Sequence, residues 1–424
     1  MKKHRLILIP SAILCVALFY ACFTSSRISQ QNIADLYRSD YHYLHPEFHI
    51  YHSKDSLAQV YYRINEAELL YIRKIPQDSF YASVKIFCKI TSGYESSDII
   101  DSGSVVLKFS SIANTKKAFA TGSIPVKLKI DGNYLVTIIT TDLISKKEDI
   151  VFLNAPNTNG LGDQNFLVTN SDNGQILLSN YVDTEANLSV LYNRPVQNLT
   201  VNYYHRNFPL AAPPFAVADA KPFKFKPDSS FVIARGLDNQ FHFKVGSGGF
   251  YHLEADTNSH YGLTIYRQER YYPNIGEAGQ MVPPLRYITS NEEYDKLTTS
   301  KDVKQALDEF WLNIANSPDR AKSLIRIYYN RVQDANKFFT SYIEGWKTDR
   351  GMIYIIYGPP VVVYRGSNSE TWTYGEDRNF MALSFTFEKT DNPFTNNDFT
   401  LERSPLFRNL WYNTVDTWRE GRVY

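Results

Sequence analysis

The stretch Gly345-Trp346-Lys347-Thr348-Asp349-Arg350-Gly351 lies where the hydrophobic pattern of the 424-residue chain changes its period. Before it, apolar residues between Ala321 and Tyr342 recur at helical spacing, and Gly345 is placed to end that helix. After it, residues 352–357 form an unbroken apolar and aromatic run, which favours a strand. The stretch is therefore expected to form the corner between a long helix and a sheet.

The side chains of this corner suit a structural turn. Trp346 is expected to fill the helix–sheet junction as a core anchor, and an exposed ligand platform is the alternative. Thr348 and Asp349 have short side chains that accept hydrogen bonds from backbone N–H groups. Gly351 permits a positive φ before the strand, and Gly358-Pro359-Pro360 then provides a rigid reversal.

The charged residues of the corner leave functional alternatives open. Asp349 and Glu370 are weak candidates for the two carboxylates that a glycan hydrolase places across the scissile bond. Arg331, Lys347 and Arg350 are candidates for a clamp that binds an anion. In the structural interpretation, Arg350 instead pairs with Asp349 or Glu370.

Residues 266–424 are predicted to form an α+β domain around this corner. Helical spacing of apolar residues indicates one helix over residues 303–314, a second from Ser317 towards the corner, and a last one after Ser404-Pro405. Ser317-Pro318-Asp319 supplies an N-cap, a proline in the first turn and an acid at the positive end of the helix dipole. The predicted strands are residues 352–357, 361–364, 371–374, 380–388 and 399–402.

The two stretches before that domain, residues 41–156 and 157–265, alternate with a period of two, which indicates β-strands. Short strands separated by turns are typical of a β-sandwich. The turn before Tyr134 resembles the entry to a late strand of an immunoglobulin-like sandwich, and residues 248–255 repeat that pattern. The predicted fold is mostly β, with two tandem immunoglobulin-like β-sandwiches followed by a helix-plus-antiparallel-sheet domain.

The amino terminus is typical of an export signal. Three basic residues precede residues 6–20, which are apolar or small apart from Tyr20 and are too short to span a bilayer as a helix. The following Ala21-Cys22 looks like a bacterial lipobox, so we expect residues 1–21 to be a lipoprotein signal peptide and Cys22 to be lipidated. An ordinary secretory signal is the alternative. Residues 22–40 are polar and without pattern, and they are predicted to be a tether.

Charge and cysteine content limit the classes of function that the protein can have. Lys+Arg is 45 and Asp+Glu is 44, so the net charge of +1 argues against a nucleic-acid partner. Of the three cysteines, Cys15 lies in the signal peptide and Cys22 is the lipidation site, which leaves only Cys88 in the folded part. Its strand pattern predicts a buried core thiol, and no cofactor is predicted.

Four histidines, His42, His45, His49 and His52, fall within eleven residues. Imidazoles so close in sequence are weak candidates for a metal site. Pro46 interrupts any helix there, and His49 and His52 point to opposite faces of an extended strand. Solvated histidines at a strand edge are therefore the favoured interpretation, and no metal is predicted.

Residues 345–374, with the residues upstream at 328–336, resemble the GWxTD-domain family of bacterial envelope proteins. The resemblance covers roughly residues 270–424 and implies an exported, often lipidated protein of Bacteroidota-type bacteria, with no activity that carries over. The motif residues expected to serve a structural or binding role are Gly345, Trp346, Thr348, Asp349, Arg350, Gly351, Glu370 and Trp372.

These observations lead to an expected function. The protein is predicted to be a periplasmic lipoprotein whose lipid anchor attaches it to the membrane, and a binding or scaffold component of an envelope complex. Its partners would be envelope proteins or cell-wall glycan. The first acidic residue after Cys22 is Asp35, which by resemblance to such lipoproteins places it on the outer membrane facing the periplasm. The alternative is a glycan-active hydrolase that uses Asp349 and Glu370.

Overall fold

The computed structural model describes residues 27–76, 78–111, 119–205, 208–216, 226–259, 261–376 and 382–423. The predicted signal peptide and Cys22 lie outside these residues. The described chain consists mostly of strands in antiparallel sheets, followed by a region of helices and one further sheet, as the sequence predicts. Within the described residues, no helix is both long and apolar enough to cross a membrane.

Among the described residues, seven strands form the first sandwich. They are β1 Glu47–Lys54, β2 Leu57–Asn65, β3 Phe80–Thr91, β4 Asp101–Ser111, β5 Phe119–Val126, β6 Tyr134–Asp142 and β7 Glu148–Ala155. One sheet has the order β1-β2-β5 and the other β4-β3-β6-β7, an immunoglobulin-like arrangement in which β1 and β7 are edge strands. Buried and half-buried residues alternate along β2, and Cys88 lies in the core between the sheets.

The second sandwich repeats this arrangement. Its strands are β8 Phe166–Asn170, β9 Tyr181–Val182, β10 Ala186–Tyr192, β11 Asn198–Tyr204, β12 Ser229–Ala234, β13 Phe241–Val245, β14 Gly249–Glu254 and β15 Leu263–Arg267. The sheets run β13-β10-β8 and β12-β11-β14-β15-β9. The order matches that of the first sandwich except for the added β9, which pairs in parallel with β15.

The C-terminal region packs helices against a four-stranded sheet. The helices are α1 Ala278–Met281, α2 Asn291–Thr299, α3 Val303–Ala315, α4 Pro318–Phe339, α5 Asp349–Tyr357 and α6 Phe407–Arg419. The strands β16 Val362–Arg365, β17 Ser369–Tyr374, β18 Leu383–Lys389 and β19 Phe399–Leu401 are paired in chain order. The Ser317 side chain caps α4 by accepting a hydrogen bond from the Arg320 N–H, as its sequence predicts.

The predicted strand over residues 352–357 is wrong, because these residues belong to helix α5. Every residue from Arg350 to Ile356 is buried, so the helix has no polar face and its sequence shows no helical period. A short apolar run of this kind cannot be distinguished from a buried strand by periodicity alone. The remaining predicted strands of this domain correspond to β16, β17, β18 and β19.

The predicted tether over residues 22–40 is also wrong from Arg27 onward. Ile28, Ile33 and Tyr37 are buried in the core of the C-terminal region. The Ile33 N–H donates to the Val363 carbonyl at 3.0 Å, and the Tyr354 hydroxyl donates to the Tyr37 carbonyl at 2.6 Å. The polar composition hides this role, because a few well-spaced apolar side chains are enough to dock the segment.

Aromatic side chains join the second sandwich to the C-terminal region. Phe394, in the loop between β18 and β19, lies against the rings of Tyr204 and Phe250 on the second sandwich. The Tyr266 hydroxyl donates to the Phe394 carbonyl at 2.9 Å. Part of the high aromatic content of the chain therefore serves this junction.

We predict that Tyr37→Ala destabilises the C-terminal region. Tyr37 is 5% exposed and packs against Phe339 and Trp372, so its loss should reduce the free energy of unfolding by about 3–5 kcal/mol. Tyr41, at 48% exposed, is the matched control, and Tyr41→Ala should change it by less than about 0.5 kcal/mol. Denaturant titration measures the free energy of unfolding of both variants. Equal effects would contradict the docking of Tyr37 in this core.

Candidate functional site

The two glycines of the motif allow backbones to approach closely. A Cβ on Gly345 would lie 1.9 Å from the carbonyl oxygen of Ala335 in α4. A Cβ on Gly351 would lie 1.9 Å from the carbonyl oxygen of Gly345. Any side chain at either position would therefore push α4, the motif turn and α5 apart.

Thr348 starts helix α5. Its Oγ1 accepts a hydrogen bond from the Gly351 N–H at 3.0 Å and donates to the Gly345 carbonyl at 2.8 Å. Two details of the sequence interpretation change here. Gly345 begins a short 3-10 turn, Gly345–Lys347, because α4 already ends at Phe339. Gly351 lies in the first turn of α5 and is required for close approach, with no positive φ.

Trp346 is buried and serves as a core anchor. Its ring lies edge-on to Tyr287, with centroids 6.4 Å apart. Its backbone N–H donates to Asn336 Oδ1 at 3.1 Å, and its carbonyl accepts from the Tyr287 hydroxyl at 3.0 Å. The alternative of an exposed ligand platform does not fit this placement.

Arg350 and Glu370 form a buried ion pair behind the motif. Their side chains are 1% and 0% exposed, and Arg350 Nη1 donates to Glu370 Oε2 at 3.2 Å. Trp372 Nε1 donates to Glu370 Oε1 at 2.6 Å, and Arg365 Nε lies 3.6 Å from Oε2. Arg350 Nη2 also donates to the carbonyl of Asn397 at 2.9 Å. Of the two partners considered from sequence, Arg350 takes Glu370.

Asp349 pairs with a different arginine. Its Oδ2 accepts a hydrogen bond from the Leu401 N–H at 2.8 Å, and Arg403 Nη2 donates to its Oδ1 at 2.5 Å. Both carboxylates of the hydrolase alternative are thus occupied by arginines and by N–H donors of the fold. Glycan hydrolysis needs two carboxylates that face a shared cleft, so the geometry gives this alternative no support.

The anion clamp is not assembled either. Arg331 Nη1 donates to the carbonyls of Ile355 and Ile356 at 3.1 and 3.3 Å, where it neutralises the C-terminal end of α5. Lys347 pairs with Glu344 at 2.8 Å. The motif is therefore a packed structural corner within the described chain.

Three of the four histidine side chains contact different partners, and the buried Nδ1 of His52 has no hydrogen-bond partner among the described residues. His42 Nδ1 lies 2.6 Å from Asp149 Oδ1, and this hydrogen bond is the largest cause of the raised pKa of His42. His45 contacts Glu68, His49 Nε2 lies 2.9 Å from the Phe166 carbonyl oxygen, and His52 is buried.

The structure therefore does not bring the histidines into one coordination sphere. Among the residues it describes, no group of three or more His, Cys, Asp or Glu side chains is placed to hold a metal. His42 instead links two separate parts of the fold, since it contacts Asp149 on β7 and also the Leu36 carbonyl at 3.1 Å.

A groove of about 1150 Å³ lies where the two sandwiches and the C-terminal region meet, and we call it the junction groove. Its lining includes residues 44–50 and 149–154 of the first sandwich, residues 178–181 of the second, and residues 336–338 and 389–397 of the C-terminal region. Sequence reasoning missed this groove because its walls come from distant segments. The asparagine-rich run 391–398 was the one local signal.

The walls of the groove combine polar groups with aromatic rings. Asn154, Asn180, Tyr181 and Phe338 are among its lining residues. Burial lowers the pKa of Lys389, and the charge of Arg365 adds to that effect. A ligand in the groove would thus meet hydrogen-bonding groups in a partly desolvated setting, which strengthens each polar contact.

A family model described as the GWxTD domain matches residues 249–420. A comparison with curated proteins finds no match. Among solved structures, a chain described as "Biofilm associated protein - BSP domain" is similar at 8% identity and a TM-score of 0.15, over 56% of this chain and 54% of that chain. The present chain thus spans about half of that structure, and a likeness this low bears on neither fold nor function.

We predict that Gly351→Ala destabilises the protein by at least about 1–3 kcal/mol, because the new methyl group collides with the Gly345 carbonyl. Gly279, in helix α1, is the control, since a Cβ there meets nothing within 4 Å. Gly279→Ala should be neutral or slightly stabilising. Thermal and denaturant unfolding distinguish the two, and a harmless Gly351→Ala would refute the close-approach role.

We also predict that Glu370→Gln costs about 3–5 kcal/mol, because it leaves the buried Arg350 charge without its counter-ion. Glu388→Gln, on the exposed side of β18, should change the free energy of unfolding by less than about 0.5 kcal/mol. Equal unfolding midpoints for the two variants would show that the ion pair contributes nothing to the fold.

Proposed function

Because residues 249–420 of this chain belong to the GWxTD domain family, we propose that the protein is a lipid-anchored binding component of a bacterial cell envelope. The partner is held in the junction groove. The observation that carries the proposal is this groove of about 1150 Å³, which all three parts of the chain line together. A cleft built from several units, with convergent polar groups, is the usual form of a binding site.

The membrane attachment rests on the sequence of the amino terminus. The export signal and the Ala21-Cys22 lipobox favour lipidation at Cys22. Acyl chains on that residue would hold the protein at the membrane, since each buried CH₂ contributes about 0.8 kcal/mol. The family resemblance favours a Bacteroidota-type envelope and the periplasmic face of the outer membrane.

The borders of the groove favour a polypeptide as the partner. Residues 44–50 include the start of β1, and residues 149–154 belong to β7. In the described chain, β1 pairs only with β2 and β7 only with β6, so each strand has a side outside the sheet ladders. An extended segment of another protein binds such edges by adding a strand. A protein that binds another in this way can act as a scaffold in an envelope complex.

We predict that a partner co-purifies with the protein and that the amount recovered depends on Ile150. Ile150 lies on β7, lines the groove and is exposed, so Ile150→Arg should block an added strand. Val106 lies on β4, the opposite edge of the same sheet, outside the groove lining, and Val106→Arg is the matched control. Full-length protein is purified from detergent-solubilised membranes, and co-purifying proteins are quantified.

Wild type and Val106→Arg should recover the same envelope protein, and Ile150→Arg should recover about tenfold less, equivalent to roughly 1.4 kcal/mol of binding. Equal recovery with both variants would exclude the groove as the binding site of the partner. Recovery of glycan alone, released by glycan-cleaving enzymes, would make cell-wall glycan the ligand and refute a protein partner.

A further inference from the structure

We infer that the loop Ser92–Ile100 of the first sandwich and the segment at Arg27 form the membrane-facing side of the protein. The inference rests on the proposed lipidation of Cys22 and adds an orientation to it. The occupant of this surface is a lipid bilayer.

The chain between Cys22 and Arg27 has a short reach. Four residues separate Cys22 from Arg27. Five Cα intervals span at most about 17 Å when fully extended, at roughly 3.4 Å each. A lipid on Cys22 would therefore keep the bilayer surface close to Arg27.

The position of Arg27 is fixed on the folded protein. The carbonyl of Arg27 accepts from the Gln30 N–H at 3.1 Å, and the Ser29 N–H donates to the Tyr94 carbonyl at 3.0 Å. Asn32 adds a bond from its side-chain amide to the Val361 carbonyl at 3.1 Å. An anchor five residues before this fixed point determines which side of the molecule faces the membrane.

This exit point lies beside a loop of the first sandwich. Arg27 and residues 92, 93 and 95–98 line one shallow pocket, so the loop between β3 and β4 lies next to Arg27. Glu95 ties this loop to the C-terminal sheet, since its carboxylate accepts from the Ser367 N–H at 2.7 Å. The exit point therefore lies between the first sandwich and the C-terminal sheet.

The same loop exposes two large apolar side chains. Ile99 and Ile100 are 54% and 50% exposed, and the Ile100 N–H donates to the Ile90 carbonyl at 2.9 Å, which holds the loop against β3. Isoleucines at the edge of a bilayer gain from burial among the acyl chains. Because Asp98 is adjacent and exposed, we expect contact with zwitterionic more than with anionic lipid.

The test places a fluorophore at single positions of the lipidated, full-length protein in vesicles of zwitterionic lipid. Ile99→Cys carries the probe at the proposed surface. Val232→Cys, an exposed apolar position on β12 of the second sandwich, is the matched control. Native Cys88 does not interfere, because it is buried and burial raises its pKa to about 12.

A quencher on the lipid headgroup should reduce emission at position 99 at least about threefold more than at position 232, because interfacial groups lie within roughly 5–10 Å of the headgroups. Equal quenching at the two positions would overturn the orientation.

Flotation of the vesicles and mass spectrometry of the Cys22 peptide separate this outcome from a failed anchor. A protein that does not float, or whose Cys22 is unmodified, refutes the lipid anchor and with it the orientation. A lipidated, floating protein with no preferential quenching at position 99 refutes the orientation alone.

Discussion

The buried pair of Arg350 and Glu370 is the constraint on which the C-terminal region depends. Two charges removed from water are costly unless every polar atom around them is satisfied. The arginine lies in the first turn of α5, and the glutamate lies on β17. The loop after β18 contributes Asn397, whose Oδ1 accepts from Arg350 at 2.5 Å and whose Nδ2 donates to the Thr340 carbonyl at 2.9 Å beyond the end of α4. One ion pair therefore sets a helix, a strand, a loop and a helix end relative to one another.

The amino-terminal segment extends this arrangement to the start of the described chain. Tyr37 packs against Trp372, whose indole N–H bonds Glu370. Residues 28–37 thus complete a core whose other members lie mostly beyond residue 280, and the two sandwiches lie in sequence between these two parts. The family match over residues 249–420 begins at β14 and does not include the docked segment. Phe250 on β14 contacts Phe394, which gives a physical reason for the match to start inside the second sandwich.

The sequence revealed those parts of the fold in which one face of each element meets water. Alternation along strands such as β2 predicted both sandwiches, and the amphipathic pattern of α4 predicted its course. The hydrophobic pattern failed to predict α5, because burial on all sides removes the helical period from its sequence. The roles of Trp346 and Thr348 were interpreted correctly. The reason for Gly351 was not, because its close contact with the Gly345 carbonyl arises only on folding. The junction groove was missed for the same reason, since its walls meet only after folding.

The placement of the motif changes which part of the protein is open to a functional role. The glycines, the tryptophan and the ion pair of this signature are internal, and they determine how α4, α5 and the sheet pack. Two proteins with the same corner can therefore differ in what they bind. The part of the protein open to such a difference is the junction groove, whose walls at residues 389–396, 44–50 and 149–154 lie outside the Arg350–Glu370 pair. Asn397 and Arg365 belong to both, since Asn397 bonds Arg350, Arg365 lies 3.6 Å from Glu370 Oε2, and both line the groove. A ligand that moved either residue would therefore act directly on the buried pair.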